Sequence, residues 1–178
     1  MIEIRVQGMP GAQGSKTATR WGGMKESSPK VAPWRAAVAF ACEKQFDGEP
    51  ITDPVEMQIT FLLPRAKHHW SKAKGKEDQL VPSAPQHCTS SLLGDLDKLA
   101  RSTLDGCAVR SGGCLIADDS QVVSLALAKR YAERLEPTGA VIRLRTAPCS
   151  ILSLHPIWVH LGSNPDPWRT LLGGNRHE

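Results

Sequence analysis

The 178-residue sequence contains no apolar run long enough to cross a bilayer. Its opening residues, MIEIRVQG, alternate apolar with charged or polar side chains and lack the unbroken apolar stretch of a secretory signal. A cytoplasmic protein is therefore expected. Cysteine is sparse and unpatterned. Cys42, Cys88, Cys107, Cys114 and Cys149 are odd in number and form no C-x-x-C pair, so reduced, mostly buried thiols are expected and not a disulfide framework. Cys107 and Cys114 have no histidine at a meaningful spacing, which leaves a thiol-nucleophile enzyme unsupported. The Walker pattern is missing too, because Ser15 precedes Lys16 in GMPGAQGSK, and no nucleotide cofactor is expected. There is no internal repeat.

What is present is an uneven distribution of charge. The net charge is only +4, yet Lys16, Arg20, Lys25, Lys30 and Arg35 fall in one segment, and Arg65, Lys67, Lys72, Lys74 and Lys76 in a second with no acid before Glu77. Ser15, Lys16, Arg20, Lys25, Arg35, Lys67, Lys72 and Lys74 are candidate contacts to nucleic-acid phosphates. Against this background Asp95, Asp97, Asp105, Asp118 and Asp119 crowd into 25 positions. Like charges held close repel, so a fold that gathers them usually neutralises them, and a divalent cation is one way to do so.

The length suits a single domain. Ile2, Ile4 and Val6 alternate with Glu3, Arg5 and Gln7, the period of a half-buried strand, and the Gly-, Ser- and Lys-rich stretch after them reads as a long loop. PWRAAVAFACEKQF places Trp34, Ala37, Val38, Ala41 and Gln45 on one side of a helix that opens with Pro33. Val55, Met57, Ile59, Phe61 and Leu63 line one face of the clearest strand. About 30 residues with little periodicity follow, a length that usually signals function or disorder. A second helix is expected from Asp97, with Ala100, Leu104, Cys107 and Ala108 at helical spacing, ended by Gly112 and Gly113. Val123, Leu125 and Leu127 mark a third strand and Ile142 and Leu144 a fourth, which read as an antiparallel hairpin. The expected fold is α+β in the order β-α-β-α-β-β, a small mixed sheet with helices packed on one face. It covers residues 1–146, leaving 147–178, broken by Pro148, Pro156, Pro165 and Pro167, as an extension with Ile151 to Leu161 at its apolar centre.

Extended chain from Asp95 to Asp97 would aim both carboxylates to one side just before a helix, and Asp118 and Asp119 sit at a strand mouth. If the connecting loop crosses the sheet, the four converge into a set of hard oxygen ligands suited to Mg²⁺ or Mn²⁺. Lys98 and Arg101 stand beside them to balance charge on a phosphorus centre. Spacing alone leaves a plainer reading open, with Asp97 a helix cap, Asp105 a surface residue and DDS a turn. His68, His69, His87 and Cys88 match no usual zinc spacing. His68 and His69, with Trp70 and the flanking lysines, form a loop that either meets DNA or is simply solvated; Trp70 either stacks on an unpaired base or packs on the sheet edge.

GDLDKLARSTLDG followed by ADDSQVVSLALAKR resembles the signature of the RusA family of Holliday junction resolvases, and GMPGAQGSK with PWRAAV resembles that family's N-terminal region. The resemblance implies a homodimeric, Mg²⁺-dependent endonuclease that cuts four-way and related branched DNA symmetrically in a bacterial or phage-infected cell. It places the family's D-x-D carboxylates on Asp95 and Asp97 and its third essential carboxylate on Asp119, with Asp118 assisting. The family's catalytic lysine falls on Arg101, and Lys98 stands where an asparagine is common. Arg101 keeps the charge but does not readily give up a proton, so Lys98 is the candidate for a mobile ammonium. The alternative reading is a non-catalytic DNA-binding protein with structural aspartates and basic phosphate-gripping loops.

Overall fold

The computed structural model describes residues 1–148 apart from Ser15, Thr19 and Trp21, and only the backbone of Lys16 and Lys25. Cys149 and the apolar stretch Ile151 to Leu161 lie outside the described residues. The fold described occupies the unit Met1–Ala147. Its elements are β1 (Ile2–Gln7), β2 (Lys16–Ala18), β3 (Met24–Glu26), α1 (Val31–Gln45), β4 (Val55–Leu63), α2 (Leu96–Cys107), β5 (Val122–Tyr131) and β6 (Gly139–Thr146). Four strands form a mixed sheet in the order β1-β6-β4-β5, and β2 and β3 pair separately as a small antiparallel hairpin.

Both helices lie on one face of that sheet. The side chains that alternate inward on the strands, among them Ile4, Ile59, Phe61, Ile142 and Leu144, are fully buried beneath Trp34, Val38, Leu99 and Cys107 of the helices. Trp34 Nε1 donates to Thr103 Oγ1 at 2.9 Å, and that hydroxyl donates in turn to the Leu99 carbonyl at 2.8 Å, so the one polar atom of a buried indole is satisfied. The helices approach closely at Gly106, where an added Cβ would come within 2.7 Å of Val38. Arg35 on α1 is half-buried, paired with Asp105 of α2 and bonded to Gln13 Oε1 at 2.9 Å, which ties both helices to the N-terminal loop.

The α+β class, mixed sheet and one-sided helices agree with the sequence reading. Four details differ, the smallest being that α1 begins at Val31, which places Pro33 inside its first turn and not at its opening. The last two strands are not a hairpin: β6 inserts between β1 and β4, antiparallel to both, while β5 lies on the far side of β4 and parallel to it. A parallel neighbour requires a crossover, and α2 supplies it. The loop after β1 contains the β2–β3 hairpin, whose three-residue strands are too short to show a period. The second helix starts at Leu96 with Asp95 at the N-cap, and it stops at Cys107, ahead of Gly112 and Gly113. A bulge opposite Val55 and Glu56 sets Val123 aside, 63% exposed, and returns Leu125, Leu127, Lys129 and Tyr131 to the helix face in register with Met57, Ile59, Phe61 and Leu63.

Candidate active site

The approach to α2 is built to present Asp95. Ser90 caps a 3-10 turn over Ser91–Leu93 by accepting from the Leu92 N–H at 3.3 Å, and Gly94 then adopts φ +85°. A Cβ at Gly94 would meet Ala12 at 2.8 Å, so glycine serves both the backbone turn and the close approach of the N-terminal loop. Asp95 follows in extended conformation at the N-cap, yet its side chain makes no capping bond to the helix. Instead Oδ2 accepts from Lys98 Nζ at 2.6 Å. Lys129, near the end of β5, reaches across to the Gly94 carbonyl with Nζ at 2.8 Å.

The Lys98 hydrogen bond and charge, with Lys129 adding a smaller share, hold the Asp95 carboxyl below its usual range. Lys98 is raised in return, chiefly by Asp95 and with a further contribution from the charge of Asp97. These four groups are thus one electrostatic cluster. Asp97 is exposed in the first turn of α2, and Arg101, also exposed, lies one turn further on. The cluster sits at the carboxyl ends of the parallel pair β4 and β5, the edge at which open sheets with parallel strands usually bind ligands.

The second acidic pair is placed elsewhere. Asp118 caps the 3-10 turn Asp119–Gln121: Oδ1 accepts from Ser120 N–H at 3.0 Å, and its own N–H donates to Gln121 Oε1 at 2.8 Å. Gln121 Nε2 donates to the carbonyls of Ile51 and Asp53, each at 3.1 Å, so this turn is anchored to the segment leading into β4. The Ser120 hydrogen bonds, and then Arg110 at 3.5 Å, keep the Asp118 carboxyl below its usual range. Asp119 is exposed on the same turn.

Because α2 runs antiparallel to β5, its start lies by Lys129 and its end by Ile116, which bridges Ala108. Lys129 stands seven residue steps along the strand from Val122, about 23 Å at 3.3 Å per residue. The loop after α2 does not return across the sheet, and the two acidic pairs stand at opposite ends of β5. Among the described residues no group of three or more histidine, cysteine, aspartate or glutamate side chains is arranged to hold a metal ion.

Of the candidate phosphate contacts, Lys67, Lys72 and Lys74 are exposed on the segment after β4, and Arg20 is exposed beyond β2. Lys16 and Lys25 belong to neighbouring strands of the hairpin, Ser15 lies outside the described residues, and Arg35 is engaged inside the fold. The hairpin leaves the body beside the acidic cluster, since Gln13 N–H donates to the Lys98 carbonyl at 3.0 Å. Lys129 was not singled out by sequence reasoning, and His69 entered it only as part of a loop that either meets DNA or is solvated. Lys129 had a legible signal: it is a lone charge at an alternating apolar position of β5. His69 is 9% exposed, and its burial had no sequence signal between Lys67, His68 and Trp70. Trp70 is half-buried, bridged to Leu80 and overlain by Arg134 at 6.0 Å.

No match to the chain is found among curated proteins. Residues 7–145 match the family described as Endodeoxyribonuclease RusA, a span that takes in the N-terminal loop, both helices, the acidic cluster and strands β4, β5 and all but the last residue of β6, and that begins at the last residue of β1. The chain belongs to the RusA endodeoxyribonuclease family.

Proposed function

We propose that this chain resolves Holliday junctions and related branched DNA by paired symmetric incisions, as a homodimer that uses Mg²⁺ or, in its place, Mn²⁺. The observation that carries the reading is the start of α2. There Asp95 holds the N-cap position without spending its carboxylate on the cap, next to Asp97 and framed by Lys98, Lys129 and Arg101. Two exposed carboxylates fit Mg²⁺, which binds through one or two such groups and leaves its other positions to water and substrate phosphate oxygens. Bound there, the metal would supply Lewis-acid polarisation of the scissile phosphate.

The chain's own cations do the remaining work. Lys129 and Arg101 balance the negative charge that grows on the phosphate oxygens. Lys98 has a proton to give to the leaving oxygen, a role for which Arg101 is unsuited. Asp118 acts through the turn it caps, which presents Asp119 as the third carboxylate. Two symmetric cuts need two sites related by a two-fold axis, and a second copy so placed can also offer its Asp119 to Asp95 and Asp97 of the first.

Incubation of the chain with a synthetic four-way junction is expected to give paired nicks at symmetric positions with Mg²⁺ and none with EDTA. Binding without cutting under both conditions would favour the non-catalytic DNA-binding reading and sink this one. Lys129→Met, which retains the aliphatic stem and removes the ammonium, is expected to slow single-turnover cutting by about 10- to 100-fold. An unchanged rate would remove Lys129 from the site.

A further inference from the structure

Between β5 and β6 the chain reverses in a turn over Glu133 to Glu136, closed by the Glu136 N–H, which donates to the Glu133 carbonyl at 3.1 Å. Leu135 is the third residue of that turn and has φ +73°, the one positive φ outside glycine among the described residues. A turn with positive φ at its third position ordinarily places glycine or asparagine there. A leucine in the left-handed region brings its Cβ against the following carbonyl oxygen, so the conformation is strained. Packing recovers nothing, since the side chain is 97% exposed.

The residues around it hold the turn in that shape. The Glu136 carboxylate accepts from both terminal nitrogens of Arg130, at 2.6 and 2.7 Å, and from the Glu133 N–H at 2.9 Å. Pro137 restricts the exit, and the entry is fastened to the end of β4, where the Ala132 N–H donates to the Leu63 carbonyl at 2.8 Å. The turn therefore projects from the carboxyl ends of β4 and β5, the edge that carries Asp95. Leu135 is six residues on from Lys129, whose ammonium reaches the Gly94 carbonyl, so the two backbones lie within about 22 Å of each other. Beside the apex is a cavity of about 510 Å³, lined by Leu135 itself and by half-buried Trp70. Arg65, Lys67 and Arg134 share its wall with Glu77, Glu133 and Glu136. That balance of charge suits a neutral base better than a phosphate, and the volume is in the range of roughly 300–1,000 Å³ that holds small molecules.

We propose that Leu135 is an apolar wedge that enters the base stack at the branch of the DNA substrate, with the cavity beside it taking the base that is displaced. The inference rests on the reading of the chain as a junction nuclease and adds to it an element that opens the substrate. Insertion between base steps needs an apolar side chain that projects freely from a backbone that does not give way, and leucine is among the residues that proteins use for it. The turn supplies both. Seating the wedge also removes from water the apolar surface that the free protein exposes. A turn that served only to join β5 to β6 would gain from asparagine or glycine at this position, which would relieve the backbone and expose no hydrocarbon.

The test compares Leu135→Asn, which suits the positive φ and removes the apolar group, with Leu135→Met, which keeps an apolar group of similar size. A four-way junction carrying 2-aminopurine at each nucleotide next to the branch in turn is titrated with the full chain in EDTA. The wild type and Leu135→Met are expected to raise the fluorescence at one position, and Leu135→Asn to lose that rise at saturating protein. With Mg²⁺ added, Leu135→Asn should cut the fully paired junction about tenfold more slowly than the wild type, and regain the wild-type rate on a junction with unpaired nucleotides at the branch, where the unstacking is already done. Its unfolding midpoint should hold or rise, by up to about 4 °C, because the turn is relaxed. Junction binding by the wild type with no 2-aminopurine response at any position, an unchanged response in Leu135→Asn, equal slowing of that variant on both junctions, or a lowered midpoint would each overturn the wedge while leaving the nuclease reading intact. A response lost in Leu135→Asn, with no cutting of any junction by the wild type, supports the wedge and removes the nuclease. A chain that binds no junction loses both.

Discussion

Asp97→Asn is expected to lower junction cutting by about a thousandfold, which corresponds to about 4 kcal/mol of barrier, with binding retained. The substitution is isosteric and the side chain is exposed in the first turn of α2, so the helix and the packing beneath it have no reason to change. What it removes is a negative oxygen donor beside Asp95 and part of the charge that holds Lys98 protonated. Affinity for DNA should hold or rise, because one fewer negative charge faces the phosphates. Asp105→Asn and Asp118→Asn provide the contrast. Asp105 is the partner of half-buried Arg35, and Asp118 caps the turn before β5, so these two should lower the unfolding midpoint before they touch the chemical step. Gel-based single-turnover cleavage alongside a binding titration separates the two classes. If Asp97→Asn cuts within tenfold of the wild type, roughly 1.4 kcal/mol of barrier, the start of α2 is not the reaction centre.

Gly139→Ala is expected to destabilise the fold by about 3 kcal/mol. Gly139 opens β6 and pairs with Gln7 of β1 on one side and Leu62 of β4 on the other. A Cβ built there would lie 1.8 Å from the Val6 carbonyl oxygen and 2.9 Å from its carbon. The obstacle is backbone in a paired strand and not the tip of a flexible side chain, so relief requires β1 to separate from β6 or the chain at Gly139 to leave its ladder. Either change exposes Ile4 and Val6, which are buried in the core. Urea unfolding should show a lower midpoint with an unchanged slope. A loss below about 1 kcal/mol would show that β1 gives way easily and that this corner of the sheet is softer than its packing suggests.

The parts of this fold that were legible in the sequence are those set by local periodicity. The alternation in Val55 to Leu63 and in Ile2 to Val6, and the helical spacing around Trp34 and Ala100, each depend only on which face of an element is apolar. The neighbour relations of the strands were not legible in this way. Two strands joined by a short turn ordinarily pair, but β6 finds a better place between β1 and β4, where both its edges are hydrogen-bonded, and leaves β5 on the rim. The site divided along the same line. Asp95 and Asp97 are brought together by two residues of extended chain, which spacing can convey. Whether Asp119 joins them depends on the direction in which α2 runs past β5, and that direction follows from the parallel crossover, not from any local pattern. Lys129 belongs to the site because the bulge opposite Val55 and Glu56 sets its register, and His69 is buried because the segment after β4 folds over it.

The N-terminal loop has one more consequence. Gly14 and Ser27 flank the β2–β3 hairpin, and a Cβ on Gly14 would lie only 3.2 Å from Ser27 Oγ. The whole basic arm thus leaves and re-enters the body through a single narrow gate, while the residues on either side of that gate are fastened independently, Gln13 to Lys98 and the start of α1 to its own helix. An arm joined in this manner can be shortened, lengthened or exchanged by splicing at its base with little demand on the scaffold, so its length and charge are variables separable from the start of α2.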